Sequence, residues 1–235
     1  MIPLRDDLGR RGLTPIAWAL PAIWVVAHLV ITFGLDEREV ARLHAKLALD
    51  PRAWWSALDV LLGRARGEPA EALWRVLVPL FGHRLLHSGV FHVLANAMTL
   101  PLFGGRLERR VGSWRFLAFH ELAGLIAAFV QLAVVSGRPT AGVGASGAVA
   151  ASIVAYLLLY PRARVLVVVP VLVLPLFFRL RAFVGAGAWL LLQFRPIARL
   201  LDLGSVVPLS WQALAAGAGA GIGLLPMVWR RRSRR

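Results

Sequence analysis

Two stretches hold the residue types best suited to chemistry. Gly142-Val143-Gly144-Ala145-Ser146-Gly147 sets a serine hydroxyl among glycines. Small neighbours let a substrate backbone approach the hydroxyl, and the free N–H groups at a helix start can receive a developing oxyanion. A serine there also serves as a simple cap or packing residue. The second stretch carries His83, His87, His92 and Asn96. His92 and Asn96 are four apart, so a helix puts them on one face. Such a pair either bonds one helix to another or serves a site. His120 and Glu121 form a further ionisable pair, for which pairing and interface anchoring are the commoner uses. Cysteine is absent, which removes disulfides, zinc-thiolate sites and cysteine nucleophiles.

All of these polar residues lie in or beside long apolar runs. The chain has 235 residues, 58% hydrophobic and 17% charged, against about 25% charged in soluble domains. A helix needs roughly 20 apolar residues to cross the hydrocarbon core. The runs predict spans at about 14–34, 86–103, 114–135, 141–160, 182–194 and 205–229. The run Val165 to Phe178, with Pro170 and Pro175, reads as an interfacial or re-entrant piece feeding the fifth span. Between the first two spans, residues 36–84 hold Trp54-Trp55 and Trp74-Arg75 among mixed charges, which suits short amphipathic helices at the interface. The expected fold is therefore all-α, a single polytopic domain over 1–235 with six spans and an interfacial first loop. The first run is long enough to span and lacks an A-x-A-like cleavage site.

Net charge is +15, and all the basic residues but Lys46 are arginine. They fall between the apolar runs and in the tail Arg230-Arg231-Arg232-Ser233-Arg234-Arg235, as the positive-inside rule produces. No separate basic domain suggests nucleic-acid binding; the tail suits anionic headgroups of the lipid bilayer instead. The long first loop is nearly neutral, with eight basic and seven acidic residues between Asp36 and Arg84. This bias puts both termini in the cytoplasm and the first loop outside. The last run carries Gly217 with Gly221 and Gly219 with Gly223, G-x-x-x-G pairs that permit close backbone contact. The fourth run is equally small, so these two are expected to pack face to face, although such a seam suits a dimer as well as a core.

These ordered motifs make the sequence similar to the rhomboid intramembrane serine proteases, from about Trp74 to Pro226. His87-Ser88-Gly89-Val90-Phe91-His92-Val93-Leu94-Ala95-Asn96 resembles the family's second-span segment. Phe103-Gly104-Gly105-Arg106-Leu107-Glu108 with Gly112 resembles its next loop, Gly144-Ala145-Ser146-Gly147 its nucleophile motif, and Trp211 with Gly217 and Gly221 its last span. Trp74-Arg75 resembles its first-loop pair, a few residues further from the histidines than usual. The resemblance implies a bacterial inner-membrane protein whose partner is a transmembrane protein substrate, with no metal or cofactor. Ser146 is then the nucleophile, and the Ser146 amide with His92 and Asn96 the oxyanion hole; Gly144, Gly147, His87, Trp74 and Arg75 support it.

One position departs from that pattern. The family's general base is a histidine on the last span, and Leu214 stands where it is expected; no histidine follows His120. A serine hydroxyl is a weak nucleophile without an adjacent base. The expectation is an endopeptidase with impaired catalysis, or alternatively a pseudoprotease that holds transmembrane clients without cutting them. His92 and His87 are the alternative bases, although the resemblance gives both other work.

Overall fold

The computed structural model describes residues 2–7, 12–135, 142–171, 174–192 and 211–229. It opens with strand β1 (Ile2–Asp6) and helix α1 (Pro15–Gly34), which starts on a proline whose missing N–H costs nothing there. The first loop folds into α2 (Glu37–Leu47), α3 (Pro51–Leu61) and α4 (Pro69–Gly82). Local capping fixes the starts of α2 and α3. Asp36 and Glu39 form a reciprocal capping box on α2, and the Asp50 carboxylate accepts from Arg52 and Ala53 on α3.

Helices α5 (Val90–Val111) and α6 (Ser113–Val134) meet at Gly112, whose φ of 89° belongs to the left-handed region that glycine enters freely. Helix α7 (Ser146–Leu159) follows, then strands β2 (Arg164–Val171) and β3 (Leu174–Arg181), and α8 (Ala182–Leu192). The last elements are α9 (Trp211–Gly223) and α10 (Leu225–Trp229), separated at Leu224.

The fold is mostly helical but not all-α. β1, β2 and β3 form an antiparallel sheet in that order. The stretch expected as an interfacial or re-entrant piece is a β-hairpin instead. Its run Val165, Val167, Val168, Val169 and Val171 is β-branched, which suits a pleated, half-buried surface. The N-terminal strand covers one edge of that hairpin, with Asp6 opposite Val165.

Two helices are long and apolar enough to cross a membrane among the described residues, α1 and α6. Helix α7 is apolar but has only 14 residues, and α8 has 11, or roughly 16 Å at 1.5 Å per residue. The outer faces remain apolar: Ile23, Val26, Val30 and Phe33 on α1, and Leu122, Ile126, Phe129 and Val134 on α6, are exposed. Buried polar side chains, including His92, Asn96, His120 and Ser146, lie inside. Apolar outside and polar inside is the arrangement expected where the solvent is hydrocarbon.

The central core gathers α5, α6, α7 and α9, with Leu100, Phe103, Phe116, Val149, Ile153 and Leu214 among its members. The first loop has its own smaller core of Leu49, Trp54, Ala57, Ala72, Val76 and Leu80, completed by Ala128 and Leu132 of α6. Two indoles fix this loop, Trp54 donating to the Val76 carbonyl at 3.0 Å and Trp55 to the Leu132 carbonyl at 3.1 Å.

Candidate active site

Ser146 is the first residue of α7 and is buried. At that position its amide has no acceptor within its own helix. The approach to it is held on both sides. Leu49 and Gly142 exchange backbone hydrogen bonds of 3.0 and 2.9 Å, and the Gly144 amide donates to the His83 carbonyl at 2.8 Å. The His83 ring Nδ1 lies 2.7 Å from the Pro79 carbonyl, so that nitrogen carries the proton and donates. Burial first, and the neighbouring Arg84 second, lower the His83 pKa to about 4, so its imidazole is neutral at physiological pH.

Two glycines make the close approach possible. Gly144 has φ of 103°, and a Cβ there would lie 2.5 Å from the His92 Cε1 and 2.7 Å from its Nε2. The His92 ring therefore rests on the backbone two residues before Ser146. At Gly147 a Cβ would lie 2.5 Å from the Ala127 methyl and 3.1 Å from the Ala213 carbonyl oxygen. A larger residue at Gly144 would push α5 off the loop, and one at Gly147 would push α6 and α9 off α7.

His92 and Asn96 are buried on one face of α5. The Ser88 hydroxyl lies 3.1 Å from His92 Nδ1. The Asn96 amide nitrogen donates to His87 Nε2 at 3.2 Å, which puts the proton of a neutral His87 on Nδ1. The His87 and His92 rings meet edge to face at 4.9 Å. Among the described residues, neither His92 Nε2 nor Asn96 Oδ1 has a hydrogen-bond partner. A buried polar atom with no partner is costly unless it has a use; His92 Nε2, carrying a proton, is a donor of the kind an oxyanion needs, whereas Asn96 Oδ1 can only accept.

Leu214 lies on α9, one residue after Ala213, whose carbonyl touches the Gly147 position, and it is buried in the apolar core. Helix α9 packs on α7 through glycine. A Cβ at Gly217 would fall 2.0 Å from the Gly147 carbonyl oxygen, and one at Gly221 2.6 Å from that of Ala151. The expected face-to-face packing of these two elements is present. Gly219 and Gly223 meet nothing within 4 Å, so only one of the two G-x-x-x-G pairs forms the seam.

All six histidines lie among the described residues: His28 on α1, His44 on α2, His83 and His87 before α5, His92 on α5 and His120 on α6. None is on α9. No group of three or more metal-ligating side chains converges among the described residues.

The structure keeps some expected residues apart. Trp74 and Arg75 sit exposed on α4, where Arg75 pairs with Glu71 at 2.7 Å. They line a groove of about 730 Å³ against α2 and the start of α3, away from Ser146. Glu121 pairs with the buried Arg84, and the His120 ring stacks on Trp24 at 6.0 Å, while neither of its buried ring nitrogens has a hydrogen-bond partner among the described residues. His28 was not singled out in the sequence. It is buried on α1 and close enough to act electrostatically on both His87 and His92. A lone histidine in a long apolar run was its only signal.

Comparisons with known proteins identify relatives of the chain. The family model described as the Rhomboid domain matches residues 70–231. The chain is 33% identical over 120 residues to YdcA of Bacillus subtilis (strain 168), named as a candidate rhomboid protease, covering 51% of this chain and 57% of that protein. It is 33% identical over 86 residues to Rhomboid-like protease 3 of Toxoplasma gondii, covering 34% of this chain and 31% of that one. Over 76 residues it is 38% identical to Rhomboid protease GluP of Bacillus subtilis (strain 168), covering 32% and 14% respectively. In each case the chain spans less than two thirds of the relative.

Proposed function

The chain belongs to the rhomboid family of integral membrane proteins, and on that footing we propose that it is an intramembrane serine endopeptidase scaffold whose catalysis is crippled at Leu214. Six spans put both termini in the cytoplasm and the first loop outside. In a competent site Ser146 Oγ attacks the scissile carbonyl of a transmembrane substrate. The Ser146 amide, with His92 and Asn96, receives the oxyanion. Removing one such donor typically costs about 10²–10³ in kcat. The supporting features are the His92 ring resting against Gly144, the unpartnered His92 Nε2, and the Asn96 amide nitrogen, which donates to His87 Nε2 and has a second hydrogen to give.

The observation that carries the crippled reading is Leu214, buried on the helix that packs against Gly147, with no histidine on that helix. Leucine accepts no proton. In a soluble serine protease, loss of the base alone costs about 10⁶ in kcat. The same observation favours a second reading, a pseudoprotease that holds transmembrane clients without cutting them.

A fluorophosphonate probe, which reacts with activated serines, tests this reading. The natural chain should label no more than Ser146→Ala does. Leu214→His should label, and Leu214→His with Ser146→Ala should not. Strong labelling of the natural chain at Ser146 would overturn the crippled reading and direct the search for a base to His92.

A further inference from the structure

The hairpin register sets Arg164 directly opposite Arg181 and Leu166 opposite Arg179. Side chains alternate faces along a strand. Val165 and Val167 of β2 are buried, and Val165 packs against the Gly185 position of α8. The other face therefore carries Arg164, Arg179, Arg181 and, further along β3, Phe177. All four are exposed, Phe177 to 59%. Strand spacing is about 4.8 Å and the same-face repeat about 6.8 Å, so the three arginines rise within about 8 Å of one another.

Like charges directly opposite on neighbouring strands destabilise a sheet. Among the described residues no ion pair reaches Arg164, Arg179 or Arg181. The acidic side chains at hand are already engaged, Asp6 away from the three arginines and Asp7 on the backbone of Arg164. Asp6 pairs with Arg106 and accepts from the Tyr156 hydroxyl at 3.1 Å. Asp7 accepts from the Arg164 backbone amide at 3.0 Å.

The position of the sheet narrows the missing partner. It sits at the end of the bundle where Asp6 bonds Arg106 near the end of α5. Arg110, one turn on, donates to the Trp229 carbonyl, and Gly112 turns the chain into α6 beside Trp114. Glu108 holds the start of α1, close to Trp18. Trp18, Trp114 and Trp229 thus belong to this same end, and they are 65%, 82% and 56% exposed. Exposed tryptophan gathers at headgroup depth. The crowded arginines therefore lie beside lipid headgroups.

We propose that this sheet face is a docking surface for anionic phospholipid. The guanidiniums of Arg164, Arg179 and Arg181 hold the headgroup phosphates, for which their planar forks are suited, and Phe177 enters the boundary between headgroups and acyl chains. Each arginine contributes about a five-fold gain at an anionic surface, or on the order of 10² for three.

The test uses the full chain in a neutral detergent, titrated with phosphatidylglycerol or phosphatidylcholine and read by native mass spectrometry. Wild type should retain phosphatidylglycerol and discriminate against phosphatidylcholine. Replacing Arg164, Arg179 and Arg181 together by Gln should weaken phosphatidylglycerol retention by on the order of 10². A control replacing Arg38, Arg42 and Arg66 of the first loop removes the same charge and should change it less than five-fold. Phe177→Ser should weaken phosphatidylglycerol but leave inorganic phosphate competition unchanged. Equal losses in the two triple variants would reduce the effect to net charge and overturn the proposal. Full displacement of the lipid by inorganic phosphate would do the same, by showing a free-phosphate site. Circular dichroism confirms that each variant is helical, and Arg179→Gln alone, with an expected loss of about five-fold, repeats the test should the triple variant fail to fold.

Discussion

The residues around Ser146 divide into those that supply chemistry and those that supply space. Gly144 supplies space twice over, by its positive φ and by the His92 ring lying where a side chain would start. Gly144→Ala should therefore cost about 1–3 kcal/mol in backbone strain before the clash with His92 is counted, measured as a lower midpoint of unfolding in detergent. The seam glycines allow a sharper comparison. Gly217→Ala brings a methyl against the backbone oxygen of Gly147, which has no rotamer to yield, and should destabilise the protein by several times more than a few tenths of a kcal/mol. Gly219→Ala, two residues on, meets open space and should stabilise the helix by about 0.5–1 kcal/mol. If both variants unfold alike, the α7–α9 seam is misplaced. At this scale the sequence is most informative: Ser146, His92 and Asn96 stand out by type and spacing, and Leu214 only through the family resemblance. His28 does not, because only the packing of α1 against α5 brings it near His87 and His92.

Elements are held in place by polar ties that a hydropathy pattern does not reveal. Helix α1 starts without a side-chain cap of its own. Its free donors are met by Glu108 of α5, which accepts from the Ile16 and Ala17 amides at 3.1 and 2.8 Å. A carboxylate also suits the positive end of a helix. Glu108→Ala leaves two amides unsatisfied and should cost about 2–4 kcal/mol, while Glu108→Gln, which keeps one acceptor, should cost less; chemical unfolding in detergent reads both. The hairpin was the element least legible in advance. A valine-rich run between two prolines reads equally as membrane-buried helix or strand. The strand that covers its edge, Ile2–Asp6, comes from the other end of the chain, so no local pattern announced the pairing. The first-loop helices were easier, since Asp36, Asp50 and the prolines at 51 and 69 mark their starts.

Across the whole molecule, the proposed membrane orientation rests on charge placement. The arginines crowd the end that carries the sheet and the start of α1, while the first loop at the other end is nearly neutral. The absence of cysteine makes this easy to test. With single cysteines at Ser56, exposed in the first loop, and at Ser233 in the tail, an impermeant maleimide added to intact cells should label the first. The second should label only after the membrane is opened. The reverse pattern would invert the topology and place the candidate site on the cytoplasmic side.

The claim on which the rest depends is that this scaffold lacks one group, a base at position 214. It is tested most directly by cleavage of a fluorescent transmembrane peptide in proteoliposomes by the natural chain, Ser146→Ala and Leu214→His. The natural chain and Ser146→Ala should be alike and near background. Leu214→His should cut at least about 10²–10³-fold faster, as base catalysis supplies, and should lose that activity when combined with Ser146→Ala. Cleavage by the natural chain that disappears in Ser146→Ala would contradict the account, since the serine would then be activated by a group other than residue 214.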